Sequence, residues 1–252
     1  MQADHANDYF TDETQLEECH SYILSQLKAR EESSVIHGLP PPGPAITISH
    51  QTGSGEHEVA TLLAKILQSA EPKGAVQWTV FDRNLVEKML EEHHLPQSLA
   101  KFMPEDRRSY LEDVRDELIG LRPPSWVLVP EITETVLHLA DAGHVILVGR
   151  GANFITARLP NVFHVRLIAS LPKRIAQAQK QNHLTPEEAA KVVTKNDRGR
   201  GRYVKSHFHL SVDNDLLYHL VLNTDRFPRQ DAAQLIADGA RQCFKSGADG
   251  KK

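Results

Sequence analysis

The sequence has few cysteines, and none of its apolar runs is long. Cys19 and Cys243 are the two cysteines among 252 residues, and they form no Cys-x-x-Cys motif. A disulfide scaffold and a cysteine zinc site are therefore not expected, and a reducing compartment fits this usage. No apolar run approaches the roughly 18 residues that a membrane-spanning helix needs. Because the N-terminus is acidic and polar rather than signal-like, we expect a cytoplasmic protein without a membrane segment.

The sequence also lacks an excess of positive charge. The net charge is −4 and the pI is about 6.4, which argues against a general nucleic-acid binder, so we expect no nucleic acid among its partners. The 14 histidines offer no third ligand at a typical zinc spacing, so no metal-ligating residues are predicted. Hydrophobic residues make up 40% and charged residues 25% of the chain, which is typical of a soluble globular protein.

The first 44 residues differ in pattern from the rest. Residues 1–12 have the composition of a disordered segment, and residues 13–31 place apolar side chains at the spacing of an amphipathic helix. The three prolines before Gly43 predict a stiff, extended spacer. The apolar side of the helix is expected to dock either on the chain's own core or on a second copy, as a homodimer through residues 13–31. Residues 45–246 are predicted to form one domain.

From Ala45 onward, short apolar segments alternate with helical patterns. Strands are predicted at residues 45–49, 76–82, 144–149, 162–169 and 218–223. Helices are predicted at residues 56–69, 83–94, 97–142 (interrupted near 122–125), 171–182, 185–204 and 229–244. This alternation predicts an α/β fold of three layers, in which a parallel sheet is covered by helices on both faces.

The loop after the first strand has the backbone of a phosphate site but not its lysine. Gly53, Ser54 and Gly55 lead into a helix, and such glycines let N–H groups turn towards an anion at the helix start. The standard motif is G-x-x-x-x-G-K-[ST], but Glu56 and His57 stand here in place of the lysine and the hydroxyl residue. A carboxylate about 4 Å from a phosphate charge costs on the order of 4 kcal/mol. Phosphate binding therefore requires Glu56 to point to solvent and cations to come from elsewhere; the alternative is a glycine turn that only joins a strand to a helix.

Two segments offer those cations. Arg150 follows a buried strand between two glycines, at the sheet edge where α/β folds bind ligands, although a structural ion pair is the alternative. Residues 194–209 carry Arg198, Arg200 and Arg202, which suit a lid that neutralises charge during phosphoryl transfer. On a helix, Arg198 and Arg202 share one face, and Asp197 and Arg200 share another. The rival interpretations of this tract are nucleic-acid binding and a solvated helix face.

Together, these segments resemble the cytidylate kinase-like family, a branch of the nucleoside monophosphate kinases with a P-loop fold that lacks the standard lysine. The resemblance covers about residues 45–245. Its most specific part is "VILVGRGANFITARLPNVFHVRLIASLPKRI", and further matches are "ITISHQTGSGEHEVATLLAKIL", "FDRNLVEKM", "DRGRGRY" and "YHLVLNT".

The resemblance implies a kinase-like sheet with a helical lid, and it implies roles for individual residues. Gly53, Ser54 and Gly55, with His57, would bind the donor phosphates, and Arg150 the acceptor phosphate. Arg200, with Arg198 and Arg202, would stabilise the transferring phosphoryl group. Asp82 would line the acceptor pocket, and Asp197 would orient the lid.

The chain departs from true cytidylate kinases at Glu56, where they have lysine, and at Gly151, where they have aspartate. It departs from the branch at His50, where the branch usually has arginine. Three hypotheses therefore stand. The first is a phosphotransferase that uses ATP and Mg²⁺ on a nucleoside monophosphate such as CMP. The second is a nucleotide- or phosphate-binding module without turnover. The third is a dimeric scaffold assembled through residues 13–31.

Overall fold

A computed structural model describes residues 21, 22, 25, 42–82, 130–149 and 151–249. Arg150 and the helix predicted at residues 83–94 lie outside the described residues, as does most of the segment predicted to be helical at 97–142. The predicted helix at residues 13–31 is described at only three positions.

The centre of the fold is a five-stranded sheet in which every pairing is parallel. The strands are β1 (Ala45–His50), β2 (Thr79–Phe81), β3 (Val145–Val148), β4 (Val162–Ile168) and β5 (Leu220–Asn223). Their spatial order is β2-β3-β1-β4-β5, with Ala45 beside both Val145 and Val162. The α/β fold predicted from the sequence is confirmed, and the strands differ from their predicted bounds mainly at β2, which is shorter.

Helices lie on both faces of this sheet. They are α1 (Glu56–Ser69), α2 (Pro130–Ala142), α3 (Ala152–Ile155), α4 (Leu171–Asn182), α5 (Pro186–Phe208) and α6 (Arg229–Asp249), with a 3₁₀ turn at Asp215–Leu217. On one face, Ile46 and Ile48 of β1 contribute to a core with Leu63 of α1 and Ile236 of α6. On the other, Leu147 of β3 belongs to a core with residues of α2 and α3. None of the described helices is both long enough and apolar enough to cross a bilayer.

Helix α5 runs four residues beyond its predicted end at residue 204. It starts in a capping box, in which the Thr185 hydroxyl accepts from the Glu188 N–H and the Glu188 carboxylate accepts from the Thr185 N–H. It ends at His209, whose φ of 55° lies in the left-handed region. The Arg-Gly-Arg-Gly-Arg tract therefore lies inside a continuous helix.

Tyr22 shows where one residue of the N-terminal segment goes. Its ring is buried in the core on the α2 side, meets Phe81 edge-to-face at 5.6 Å between centroids, and its hydroxyl donates to the Gly143 carbonyl. This residue docks on the chain's own core, which is one of the two expected alternatives. The homodimer through residues 13–31 stays a prediction.

Two histidines, His164 on β4 and His219 just before β5, are expected to make the fold sensitive to acid. His164 is buried with its Nδ1 2.8 Å from the Thr47 hydroxyl, and its backbone N–H donates to Nδ1 of His219 at 2.9 Å. Burial, and to a lesser degree His219, lowers the pKa of His164 from 6.5 to about 4. Since the unfolded chain then takes up a proton that the folded chain does not, stability is expected to fall as the pH drops from about 6.5 towards 4.

For His164 alone, the expected loss between pH 7.5 and pH 5.0 is about 2 kcal/mol in the free energy of unfolding. Urea unfolding at the two pH values measures it. His164→Asn should reduce the difference between the two pH values, whereas the same change at the exposed His209 should not. An equal pH dependence in His164→Asn and the wild type would contradict this role.

Candidate functional site

The loop that follows β1 lies at the position where an open parallel sheet binds ligands. β1 is flanked by β3 on one side and β4 on the other, so the chain changes direction across the sheet there, and the loop leaves from the carboxyl edge. Gly53 and Gly55 have φ angles of 79° and 88°, which side chains rarely adopt. A Cβ on Gly53 would lie 2.5 Å from the Arg174 carbonyl oxygen, and one on Gly55 would lie 2.1 Å from Arg229 Nε. Both glycines are therefore needed for the loop to approach two arginine-bearing helices.

Phosphate binding was expected to require a Glu56 side chain that faces solvent. In the structure, this side chain points into the site instead. It is 13% exposed, and its carboxylate lies 3.4 Å from His50 Nε2 at the start of α1. Burial raises the pKa of Glu56, but His50, His57, its own backbone N–H and Arg200 together bring that pKa below its ordinary range. An anion at a helix N-terminus is stabilised by the helix dipole and the free N–H groups. The chain thus supplies its own carboxylate at its candidate anion site.

His50 is largely buried beside Glu56. Burial lowers the pKa of His50 to about 3, against a smaller opposing effect of Glu56. Its Nδ1 is buried without a hydrogen-bond partner among the described residues, and so is the hydroxyl oxygen of Ser54 in the same loop. Buried polar atoms without partners are unusual, and a ligand or bound water is one recognised explanation.

Thr52 joins the loop to α5. Its backbone N–H and its hydroxyl both donate to Asp197 Oδ1 at 2.8 Å, and Arg200 donates to the Thr52 hydroxyl and, at 3.2 Å, to the His50 carbonyl. The other carboxylate oxygen of Asp197 accepts from Arg174, whose side chain is 9% exposed. Burial lowers the pKa of Arg200, while Glu56 and Asp197 act in the opposite direction. Two arginines, one aspartate and one threonine thus fix α5 against the loop.

A second buried arginine lies close to this network. Arg166 of β4 donates to the Ser49 hydroxyl at 3.1 Å and to Asp213 at 2.8 Å, and its guanidinium carbon lies 5.6 Å from the centre of the Tyr218 ring. Its positive charge contributes to lowering the pKa of Arg200. Arg166 and Asp213 differ in environment, because the arginine side chain is 5% exposed and the carboxylate is 77% exposed.

This arrangement of a glycine loop after the first strand, a helix start and an arginine-bearing helix matches what a family comparison finds. A sequence profile described as the cytidylate kinase-like family matches residues 45–226. The chain belongs to the cytidylate kinase-like family. Its α/β fold is nucleotide kinase-like, as the sequence resemblance implied.

This cytidylate kinase-like chain is also similar to solved structures. An uncharacterized protein from Eubacterium ventriosum ATCC 27560 aligns over 79% of this chain and 98% of its own, with a TM-score of 0.54 and 16% identity. The structure of APE1195 aligns over 81% and 97%, with a TM-score of 0.41 and 18% identity. The Mycobacterium tuberculosis APS kinase CysC in complex with AMPPNP and APS aligns over 80% and 99%, with a TM-score of 0.39 and 18% identity. A search of curated proteins found no match.

The structure of this cytidylate kinase-like protein brings together some of the predicted site residues and separates others. Arg200, Asp197 and the loop residues Gly53, Ser54 and Gly55 lie together. The Ser54 N–H donates to the Gln51 carbonyl within the loop. His57 lies on the first turn of α1, half-buried and close enough to act electrostatically on Glu56.

The remaining predicted residues either lie away from the contact between Arg200 and the loop or fall outside the described residues. Arg198 and Arg202 are exposed and line a cavity on a different face of α5, away from the Thr52 contact that Arg200 makes. Asp82 is half-buried and directly follows β2 at the carboxyl edge of the sheet. Arg150 lies outside the described residues.

Sequence reasoning did not single out Thr52, Arg166 or Arg174. Arg174 lies in the first turn of the helix that follows β4, so its position near the carboxyl edge of the sheet was a signal that could have found it. Arg166 alternates with the apolar residues of β4 and carried no comparable signal. Thr52 bears a hydroxyl inside the glycine loop, and only its contacts with Asp197 and Arg200 reveal its role.

Two glycines in α5 have no packing reason to be glycine. Gly199 and Gly201 flank Arg200 inside the helix, and a Cβ added to either would meet nothing within 4 Å. Each costs about 1 kcal/mol relative to alanine in a helix interior. Gly199→Ala/Gly201→Ala is therefore expected to raise the free energy of unfolding by about 1–2 kcal/mol, as measured by urea unfolding.

Gly239→Ala is the matched control. A Cβ at that helical glycine would lie 3.2 Å from Phe163 Cζ, so this variant should gain no stability. If the double variant is no more stable than the wild type, the two glycines of α5 have a structural role that their surroundings do not explain.

Proposed function

We propose that this protein is a nucleotide phosphotransferase that moves a phosphoryl group from ATP to a nucleoside monophosphate, with CMP as the first candidate acceptor. The observation that carries the proposal is Arg200, which lies on the glycine loop and contacts both the His50 carbonyl and the Thr52 hydroxyl. An arginine held at a helix-start anion site can stabilise the charge that develops on a transferring phosphoryl group. The family of the chain supports the same reaction class.

In this proposal, the donor phosphates bind at residues 51–56 and displace the Glu56 carboxylate from the start of α1. The loop backbone and the α1 N-terminus would hold the phosphates. Arg200 would contact the transferring group, and Asp197 and Arg174 would position Arg200 by fixing Thr52 and α5. The acceptor phosphate would bind Arg150, and Asp82 would line the acceptor pocket.

Mg²⁺ fits this site through one described carboxylate. The described residues contain no cluster of three potential metal ligands. Mg²⁺ in kinases usually takes one or two carboxylates together with substrate phosphates and waters, and Glu56 at the loop could serve as that carboxylate. The ion would neutralise charge on the phosphates of the donor. A carboxylate that repels free phosphate can therefore be compatible with a magnesium-bound nucleotide.

The second candidate function is nucleotide or phosphate binding without turnover, and the charge balance of the site favours it. Glu56 occupies the anion position, and the arginines around the loop already have carboxylates. Arg174 contacts Asp197, Arg166 contacts Asp213, and Arg229 Nε lies 3.4 Å from Glu58. A site neutralised in this way could bind a ligand as a sensor and leave it unchanged.

Two measurements on the full chain separate the candidates. The first is thermal stability with ATP and Mg²⁺ and with each nucleoside monophosphate, where a ligand at about 100 times its dissociation constant adds roughly 2.7 kcal/mol. The second is ADP formation from ATP with each monophosphate. Stabilisation with acceptor-dependent ADP formation supports the phosphotransferase, and stabilisation without ADP formation supports the binding module. Neither stabilisation nor turnover with any nucleotide would overturn both.

A further inference from the structure

The outward side of α5 carries a regular row of positive charges, which we call the basic face. It consists of Lys191, Lys195, Arg198, Arg202 and Lys205, and every one of these residues is exposed. Their spacings alternate between four and three residues, and the exposed His209 continues the row at the end of the helix. The average period of 3.5 residues corresponds to about 5 Å between charges and about 21 Å from first to last.

The basic face is poorly neutralised by the part of the chain that the structure describes. No ion pair within 4.0 Å involves Lys195, Arg198, Arg202 or Lys205 among those residues, and Lys191 interacts electrostatically with Glu188 at the start of the helix. Like charges one turn apart on a helix destabilise it by roughly 0.2–0.5 kcal/mol per pair. Four successive pairs of this kind therefore work against α5 unless something of opposite charge covers them.

We propose that the basic face binds an acidic α-helix of a protein partner. A helix with carboxylates at alternating spacings of three and four residues has the same charge period as α5, so the two rows match over the full length. Ala190 and Thr194 lie beside the cations and line an open cavity of about 480 Å³ with four of them. Their small side chains leave room for a second helix to approach closely. The partner surface is independent of the phosphate loop, which Arg200 contacts from another side of α5.

Nucleic acid fits this face less well. Single-stranded nucleic acid is usually bound by aromatic side chains on which bases stack. The aromatic residues of α5, Tyr203 and Phe208, are half-buried, and Tyr203 packs on His207 while Phe208 packs on Phe154. The chain as a whole is also negatively charged, at −4, so it provides no wider field that would attract a long polyanion.

The probe is a fluorescein-labelled peptide of about 25 residues that is helical in isolation and carries glutamates at alternating spacings of three and four on one side. An isomer of the same composition with the glutamates distributed around the helix is its control. Fluorescence anisotropy with the full-length protein at low salt is expected to show tighter binding of the first peptide. Arg198→Glu/Arg202→Glu should weaken that binding roughly tenfold or more, since it replaces two attractions by two repulsions.

Lys65→Glu/Lys180→Glu is the matched charge control, because it changes the net charge equally at exposed positions on α1 and α4. It should retain nearly all of the binding, and so should Arg200→Ala. The proposal is overturned if both peptides bind equally, if neither binds, or if the charge control loses as much affinity as the α5 variant. It is also overturned if a 20-base-pair duplex or a single-stranded oligonucleotide binds the basic face more tightly than the peptide.

Discussion

Glu56→Gln is expected to tighten the binding of magnesium-free ATP by about 100-fold. The side chain keeps its size while the loop loses a buried negative charge that lies where the donor phosphates are proposed to bind. A unit charge about 4 Å from a phosphate charge costs on the order of 4 kcal/mol, and a hundredfold gain corresponds to about 2.7 kcal/mol. The gain should be smaller with Mg²⁺ present, because the variant also loses the carboxylate that is proposed to bind the ion. Isothermal titration calorimetry in EDTA and in Mg²⁺ measures both.

Glu58→Gln is the appropriate control for this experiment. Glu58 lies in the same first turn of α1, but its side chain is 53% exposed and lies beside Arg229. Its amide variant should change ATP affinity by less than threefold, because exposed charges are screened by solvent and salt. Unchanged or weaker ATP binding by Glu56→Gln would mean that the Glu56 carboxylate has a positive role in the resting loop.

Arg200→Ala is expected to lower kcat/KM for phosphoryl transfer by about a thousandfold. Arginines that stabilise the transferring phosphoryl group contribute rate factors of roughly 10³ to 10⁵ in related chemistry. Arg200 has the geometry for this role because it contacts the loop that would hold the phosphates. Arg200→Lys should recover only part of the loss, since a lysine cannot reproduce a two-pronged contact. Steady-state ADP formation with the best acceptor measures the effect.

Arg198→Ala and Arg202→Ala provide the comparison for Arg200. They remove the same chemical group from exposed positions on the same helix, so they control for charge and for helix stability. We expect changes below about tenfold in kcat/KM for both. Equal losses in all three variants would mean that α5 reorients during the reaction and brings its outward arginines to the substrate.

The sheet and the glycine loop at its carboxyl edge could be predicted because their signals are local. Apolar strands such as residues 145–148 alternate with helical patterns, and Gly53 and Gly55 mark a turn that requires positive φ. That Arg198 and Arg202 share one helix face, and Asp197 and Arg200 another, follows from helical spacing alone. In the structure, Arg198 and Arg202 line the same cavity, and Arg200 lies 3.9 Å from Asp197.

The orientation of Glu56 could not be predicted from the sequence near it. Repulsion between a carboxylate and a phosphate favours an outward side chain. That argument considers only the ligand and leaves out the protein groups that surround Glu56. The structure adds His50 from the strand before the loop and Arg200 from a helix about 150 positions later, and both lower the pKa of Glu56. Contacts between residues so distant in sequence depend on how α5 packs against the loop. The involvement of Thr52 was missed for the same reason.

Hydrogen–deuterium exchange with and without ATP and Mg²⁺ tests the central claim most directly, because it reports where on the chain the nucleotide binds. If the phosphates bind at the loop and engage Arg200, amide exchange should slow in peptides covering residues 50–58 and, in the same sample, in peptides covering residues 196–203. Saturating ATP that leaves both segments unchanged, or that protects only segments remote from them, would contradict the account.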